Sequence, residues 1–178
     1  MKARTLGAVI AGGRSSRFGS DKALALIEGR AMIEHVVAAL RPWVDELVIC
    51  GRAHGENRFL PDYPTTGLGP LAGFNAALHY AAANGFGSVI TVPCDTPCIG
   101  PEIFAALRDQ AGPACLADCP VIGVWPVALA GRLHEFALTD PRRSVRGWAM
   151  LAGAAELAIA APVNVNRAAD LALLGDPS

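Results

Sequence analysis

Short β-compatible runs alternate with amphipathic helical stretches over the first two thirds of the chain, and this alternation restricts the fold more than any other feature. Thr5 to Ile10 reads as a strand that stops at Gly12 and Gly13. Ala31 to Arg41 then puts Met32, Ile33, Val36, Val37 and Leu40 on one helical stripe and halts at Pro42, before a second strand from Glu46 to Cys50. Pro70 suits the first turn of a helix whose Leu71, Phe74, Leu78 and Ala81 share a face, and Asn84-Gly85 closes it ahead of a buried strand, Ser88 to Val92. Pro101 opens another helix with Ile103, Phe104 and Leu107 inward, followed by the apolar run Ala114 to Leu116. Beyond it, Val121 to Val127 reads as a strand, Leu129 to Leu138 as a helix, and Ala155 to Ala160 as an edge strand; Asn166 is a cap for Arg167 to Leu174. Such alternation predicts an α/β, mostly parallel sheet with helices on both faces. Sheets of this kind bind ligands beyond the strand C-termini, which here means around Gly12, Cys50 and Cys94.

The 178 residues show no repeat, low-complexity tract or Pro/Gly-rich linker, so residues 1–178 are expected to form a single domain. A composition that is 52% hydrophobic and 17% charged provides a core and excludes a disordered chain. Fifteen basic residues against sixteen acidic ones leave no global field for nucleic acid or an acidic membrane, so any anion must be held locally. The Ala-rich stretch from Leu151 to Val163 is interrupted by Glu156 and Pro162, and no apolar run reaches the roughly 18 residues of a membrane helix. Lys2 and Arg4 before a short apolar run faintly suggest a signal peptide, but the run meets Gly12, Gly13 and Arg14 without a cleavage site. Five cysteines, an odd number, argue against a disulfide scaffold and for a reducing, cytoplasmic setting. Their spacing, Cys94-x3-Cys98 and Cys115-x3-Cys119, departs from the usual two-residue gap of zinc-binding thiol pairs, which favours small buried hydrophobes over a zinc site.

The loop Ala11-Gly-Gly-Arg-Ser-Ser-Arg-Phe-Gly-Ser-Asp-Lys22 carries the strongest chemical signal. Paired glycines let backbone N–H groups approach a phosphate, Arg17 supplies a planar donor fork and Lys22 a mobile charge. Residues 1–30 hold six basic and two acidic side chains, so the positive excess is local. The alternative is a solvated glycine turn with surface charges. Five residues separate Gly13 from Gly19 and no Gly-Lys-Ser/Thr follows, which excludes the phosphate loop of the common NTPases; G-x-G-x-x-G is absent too, which disfavours a dehydrogenase. Asp95, in Pro93-Cys-Asp-Thr-Pro97, falls just past a strand end, where a carboxylate could hold Mg²⁺ against phosphates or simply bond its own turn. Gly67 to Gly73 opens a helix, with Asp62 just upstream; Gly-Pro there is also ordinary helix-start punctuation. Asn164 and Asn166 either read a polar heterocycle or end a strand and cap a helix. His35, His54, His79 and His134 share no motif and read as surface or core residues.

Taken together, Ile10 to Lys22, Gly69-Pro-Leu-Ala-Gly73, Pro93-Cys-Asp-Thr-Pro97 and Val163-Asn-Val-Asn166 resemble, in order and spacing, the molybdenum cofactor guanylyltransferases of the nucleotidyltransferase superfamily. The resemblance covers nearly the whole chain. It implies a three-layer α/β/α sandwich with a Rossmann-like sheet of the nucleotide-diphosphosugar transferase type. It also implies transfer of GMP from GTP to molybdopterin, with release of pyrophosphate. Carried over by position, it implies that Ile10, Ala11 and Gly12 line the guanine and ribose, with Gly13 and Arg17 nearer the phosphates. Lys22 would bind near the α-phosphate and Asp62 the nucleoside, while Asp95 would hold Mg²⁺ and touch the triphosphate. Asn164, Asn166 and the segment Arg142 to Arg146 fall on the molybdopterin side. A cofactor-insertion protein or a recipient molybdenum enzyme would be the partner.

Ile10 and Phe18 replace the family's more usual Leu and Met, Cys50 stands where an Asn near the nucleotide is common, and Cys119 stands where a His before Pro is common. The stretch from Gln110 to Cys119 is short. A phosphate monoester attacking the α-phosphorus in line is already ionised near neutral pH and needs no strong base, in keeping with the lack of a Ser-His-Asp or Cys-His arrangement. The rival readings are a cytidylyltransferase of the same cofactor, another nucleotidyltransferase such as one acting on sugar phosphates, a non-catalytic nucleotide-binding homologue and, last, a zinc protein.

Overall fold

A computed structural model describes residues 3–12, 22–163 and 165, with the side chain of Lys22 outside that description. The elements run β1 (Thr5–Ile10), β2 (Leu26–Ile27), β3 (Arg30–Ala31), α1 (Met32–Leu40), β4 (Glu46–Cys50), β5 (Arg58–Leu60), α2 (Pro70–Ala83), β6 (Ser88–Pro93), α3 (Pro101–Arg108), β7 (Ala114–Leu116), β8 (Gly123–Pro126), α4 (Ala130–Thr139), α5 (Val145–Ala152) and β9 (Ala155–Leu157). Seven strands form one sheet in the order β5-β4-β1-β6-β8-β7-β9, while β2 and β3 make a separate two-stranded ribbon.

Strand β1 lies at the centre, parallel to β4 on one side and to β6 on the other, and all six of its residues are buried. Period-two alternation sends its side chains to two cores. Leu6, Ala8 and Ile10, with Val48 and Cys50 of β4, face α2, α4 and α5. Val9, with Leu47 and Ile49, faces Ile33, Val36 and Leu40 of α1 and Ile103, Phe104 and Leu107 of α3. Helices therefore cover both faces, as the alternation predicts.

The second half departs from the sequence reading in three places. The connection from β7 to β8 is only six residues, too short for the crossover a parallel neighbour needs, so β8 returns antiparallel between β6 and β7. Strand β9 pairs in parallel with β7 and stops at Leu157 rather than Ala160. Helix α5 was not anticipated, although its start is marked: Ser144 Oγ accepts the Gly147 N–H at 2.9 Å as an N-cap. An aromatic ladder docks it, with Trp148 of α5 packed at a tilt against Trp125 of β8 and Phe136 of α4, each at 6.0 Å between centroids. The helix predicted after Asn166 lies outside the described residues.

Helix α2 lies close enough to the sheet that a Cβ placed on Gly73 would stand 3.1 Å from Cys50 Cβ and 3.3 Å from Ile10 Cδ1. Because Cys50 and Ile10 are themselves held in the core, overpacking at Gly73→Ala should outweigh the roughly 1 kcal/mol that alanine gains in a helix, for a net loss of up to about 2 kcal/mol. A thermal melt would show this as a loss of roughly 2–4 °C per kcal/mol for a chain of this size.

Candidate functional site

The parallel register brings the strand ends into one row, with Ile10 opposite both Cys50 and Pro93, and Cys50 opposite Leu60. Main-chain bonds carry the row one residue further: Ala11 N–H donates to Cys50 O (2.9 Å), Gly51 N–H to Leu60 O (2.9 Å) and Cys94 N–H to Ile10 O (3.1 Å). The chain leaves β1 for β4 and β5 on one side and returns to β6 on the other. Such a reversal opens a crevice at the C-terminal edge, where ligands of open α/β sheets bind.

On one side of the crevice, Gly12 and Gly51 touch. A Cβ on Gly51 would stand 2.4 Å from Gly12 Cα, and the φ of +87° at Gly51 itself calls for glycine. The Asp62 carboxylate closes over this pair, since a Cβ on Gly12 would lie 3.0 Å from Asp62 Oδ1. That oxygen is buried and has no hydrogen-bond partner among the described residues. Burial pushes the Asp62 carboxyl above the usual carboxylate range. The Cys50 side chain, by contrast, points under α2 and is fully buried, its thiol pushed up first by that burial and then by the charge of Asp62.

On the other side, Asp95 follows β6 at the edge, as the sequence places it. Thr96 Oγ1 donates to Pro93 O at 3.1 Å and so braces the turn. The Asp95 carbonyl accepts Val165 N–H at 2.9 Å, which ties the middle of the 163–166 motif to the carboxylate loop. Cys119 sits close by: burial raises its thiol, Asp95 adds to the effect, and hydrogen bonds from the backbone of Ile122 and Val121 oppose it. From the direction of α5, Arg146 Nη2 donates to Ala117 O (2.9 Å) and Arg143 Nη1 to Gly67 O (3.1 Å), so the basic segment reaches the same edge.

Of the predicted residues, Ile10, Ala11, Gly12, Asp62 and Asp95 come together at this edge. Gly13, Arg17, the Lys22 side chain, Asn164 and Asn166 lie outside the described set. The cysteines are not uniformly small buried hydrophobes: Cys50 and Cys115 are buried, Cys94 and Cys119 half-buried, and Cys98 exposed on the loop before α3. Gly51 was not anticipated, although a glycine directly after a strand end at the reversal point is the signal that marks it. No helix among the described residues is long and apolar enough to cross a membrane.

A mixed, mostly parallel sheet with two carboxylates at its reversal point is an architecture that nucleotidyltransferases use, and the family match places the chain in that class. More narrowly, the chain belongs to the MobA-like NTP transferase domain family, whose model matches residues 7–159. It is 38% identical to the molybdenum cofactor guanylyltransferase of Rhizobium leguminosarum bv. trifolii (strain WSM2304) over 79% of this chain and 72% of that protein. Among solved structures it superposes on molybdopterin-guanine dinucleotide biosynthesis protein A from Archaeoglobus fulgidus, with TM-score 0.71, 22% identity and 95% of each chain covered. It also superposes on a protein of Mycobacterium tuberculosis H37Rv crystallised in complex with manganese, with TM-score 0.65, 17% identity, and 96% and 97% of the two chains covered.

Because the fold holds the Asp62 proton more tightly than the unfolded chain does, ionising this carboxyl costs stability. That stability is lost as pH rises through the carboxylate range and stays lost at neutral pH. Asp62→Asn should accordingly melt at a higher temperature than the parent at neutral pH, in the absence of nucleotide. The difference should close below about pH 4, where the unfolded carboxyl is also protonated; melts across a pH series would test both.

Proposed function

We infer that this chain is a molybdenum cofactor guanylyltransferase, joining GMP from GTP to molybdopterin and releasing pyrophosphate. The observation that carries the reading is the pairing of Asp62, closed over the Gly12–Gly51 contact, with Asp95 across the end of β1. The Asp62 carboxylate, an acceptor set at this edge beside Gly12 and Gly51, suits a nucleoside N–H or hydroxyl. Main-chain groups of Ile10, Ala11 and Gly12 line the same side. Because the Cys50 thiol is turned into the core, and Ile10 C=O and Ala11 N–H are taken up by the sheet edge, base selection falls to Asp62 and the backbone at Gly12.

The hard carboxylate of Asp95, beside the weakly acidic Cys119 thiol, suits a divalent ion that would be completed by substrate phosphates and water. Asp95 would hold Mg²⁺, which when bound neutralises charge on the triphosphate. The terminal phosphate oxygen of molybdopterin attacks the α-phosphorus in line. The new P–O bond forms as the bond to the β-phosphate's bridging oxygen breaks, and pyrophosphate leaves with that electron pair. Lys22 and Arg17 supply positive charge to the transferring and departing phosphates. By the resemblance, Gly13 is assigned to the phosphates and Asn164 and Asn166 to the pterin. The segment Arg142 to Arg146 adds cations on that side. Five free cysteines suit a reducing cytoplasm, where an insertion protein or recipient molybdenum enzyme would take the product.

Binding to the folded state alone raises stability by about 2.7 kcal/mol at a hundredfold excess over Kd. With Mg²⁺ present, GTP should therefore raise the melting temperature by roughly 5–10 °C, and CTP, UTP and ATP by much less. Preferential stabilisation by CTP would replace the guanylyl assignment with a cytidylyl one. Asp95→Ala and Lys22→Ala should each cut pyrophosphate release in the presence of molybdopterin by on the order of 10²–10³ while the protein stays folded; full activity in both variants would overturn their roles.

A further inference from the structure

Residues 61–69, which carry Asp62 from β5 to α2, form no helix or strand of their own, so something else must hold the carboxylate over the Gly12–Gly51 contact. Tyr63, its neighbour, is tied to α2 at both backbone polar groups. Its N–H donates to Ala72 O at 3.3 Å, and its carbonyl accepts Asn75 Nδ2 at 3.2 Å. Asn75 is fully buried, and the acceptor it faces decides its orientation: only the NH₂ end of the amide can meet a carbonyl. The same nitrogen stands 3.0 Å from His134 Nδ1 on α4. The second amide hydrogen donates there, so Nδ1 is the acceptor and the ring proton sits on Nε2.

The Tyr63 ring packs on both histidines of this region, 4.9 Å from His79 and 5.4 Å from His134 between centroids. His79 Nδ1 is in turn committed to Asn75 O at 2.9 Å, which accepts its proton. The amide oxygen of Asn75 is buried without a partner among the described residues. An apolar residue at that position would avoid this cost, so the amide is there for what its nitrogen holds.

We propose that Asn75 and His134 are positioning residues: they form a clasp that locks the Tyr63 backbone to α2 and α4 and thereby seats Asp62 for the nucleoside. The proposal rests on the reading of Asp62 given above. A contact to the nucleoside is made in the ground state and the transition state alike, so loosening it should raise KM for the nucleotide and leave kcat nearly unchanged.

Two substitutions at the half-buried His134 test the clasp. His134→Leu removes the acceptor, whereas His134→Asn places an amide oxygen close to where Nδ1 stands. With GTP and molybdopterin, His134→Leu should raise KM for GTP about tenfold with kcat within about twofold of the parent, and His134→Asn should restore the parental KM. In the nucleotide-free protein, the ¹³C-detected titration of the Asp62 carboxyl should fall toward the ordinary range in His134→Leu and stay raised in His134→Asn. A parental KM and a parental Asp62 titration in His134→Leu would overturn the clasp, and so would equal impairment of the two variants. If the parent transferred nothing from GTP, the functional reading would fall, and the Asp62 titration would still decide the clasp by itself.

Discussion

Everything at the crevice depends on β1 being paired on both edges at once. A six-residue strand with both faces buried has no route to water for its backbone groups, so parallel ladders to β4 and β6 must satisfy them together. Parallel pairing also brings like ends to the same edge. The loops after β1, β4, β5 and β6 are thereby gathered within a few strand spacings of about 4.8 Å, and no loop has to travel to reach another. The two cores on either side of the sheet keep this arrangement rigid, and the loops above it inherit their positions from it.

The two carboxylates at that edge occupy different surroundings, and the difference matches the different tasks assigned to them. Asp62 is pressed against two glycines that bring no side chains, so one of its oxygens is shut away from water and its proton is held more tightly. Ionised, it is a hydrogen-bond acceptor at this edge. Asp95 stands on a braced turn, half-buried, with the backbone of Val165 fastened to it. Its charge is felt by the Cys119 thiol, which it helps to raise. In the function proposed above, Asp62 would grip the nucleoside and Asp95 the metal-bound phosphates, and positioning of that kind is most of what transfer between two phosphates asks of a protein.

Much of this was legible in the chain. The strand ends at Ile10, Cys50 and Ala114–Leu116, the helix starts at Pro70 and Pro101, and the place of Asp95 just past a strand follow from periodicity and from proline and glycine punctuation, which act within a few residues. Asp62 is different. It lies in a segment without periodicity, and only the family resemblance singled it out; its seat on Gly12 and Gly51 joins residues some fifty positions apart. The unanticipated α5 had local marks, the Ser144 cap among them, but the Ala-rich stretch after it read as an edge strand, and Arg142 to Arg146 stood out only through the family resemblance. His79 and His134 share no sequence motif because they meet across two helices.

The sequence by itself determined the alternation of elements, the glycine turn after β1 and the identity of the groups available to handle a nucleotide, because these are set by which side chains a short stretch can bury and which backbone angles it can adopt. Tertiary structure decided that β8 runs antiparallel between β6 and β7, that Asp62 meets Gly12, and that Asn75 reaches both Tyr63 and His134. Those are choices among distant partners. They are made by whether a connection is long enough to cross the sheet, by how closely two side-chain-free backbones can approach, and by where a buried amide finds acceptors, none of which a local pattern records.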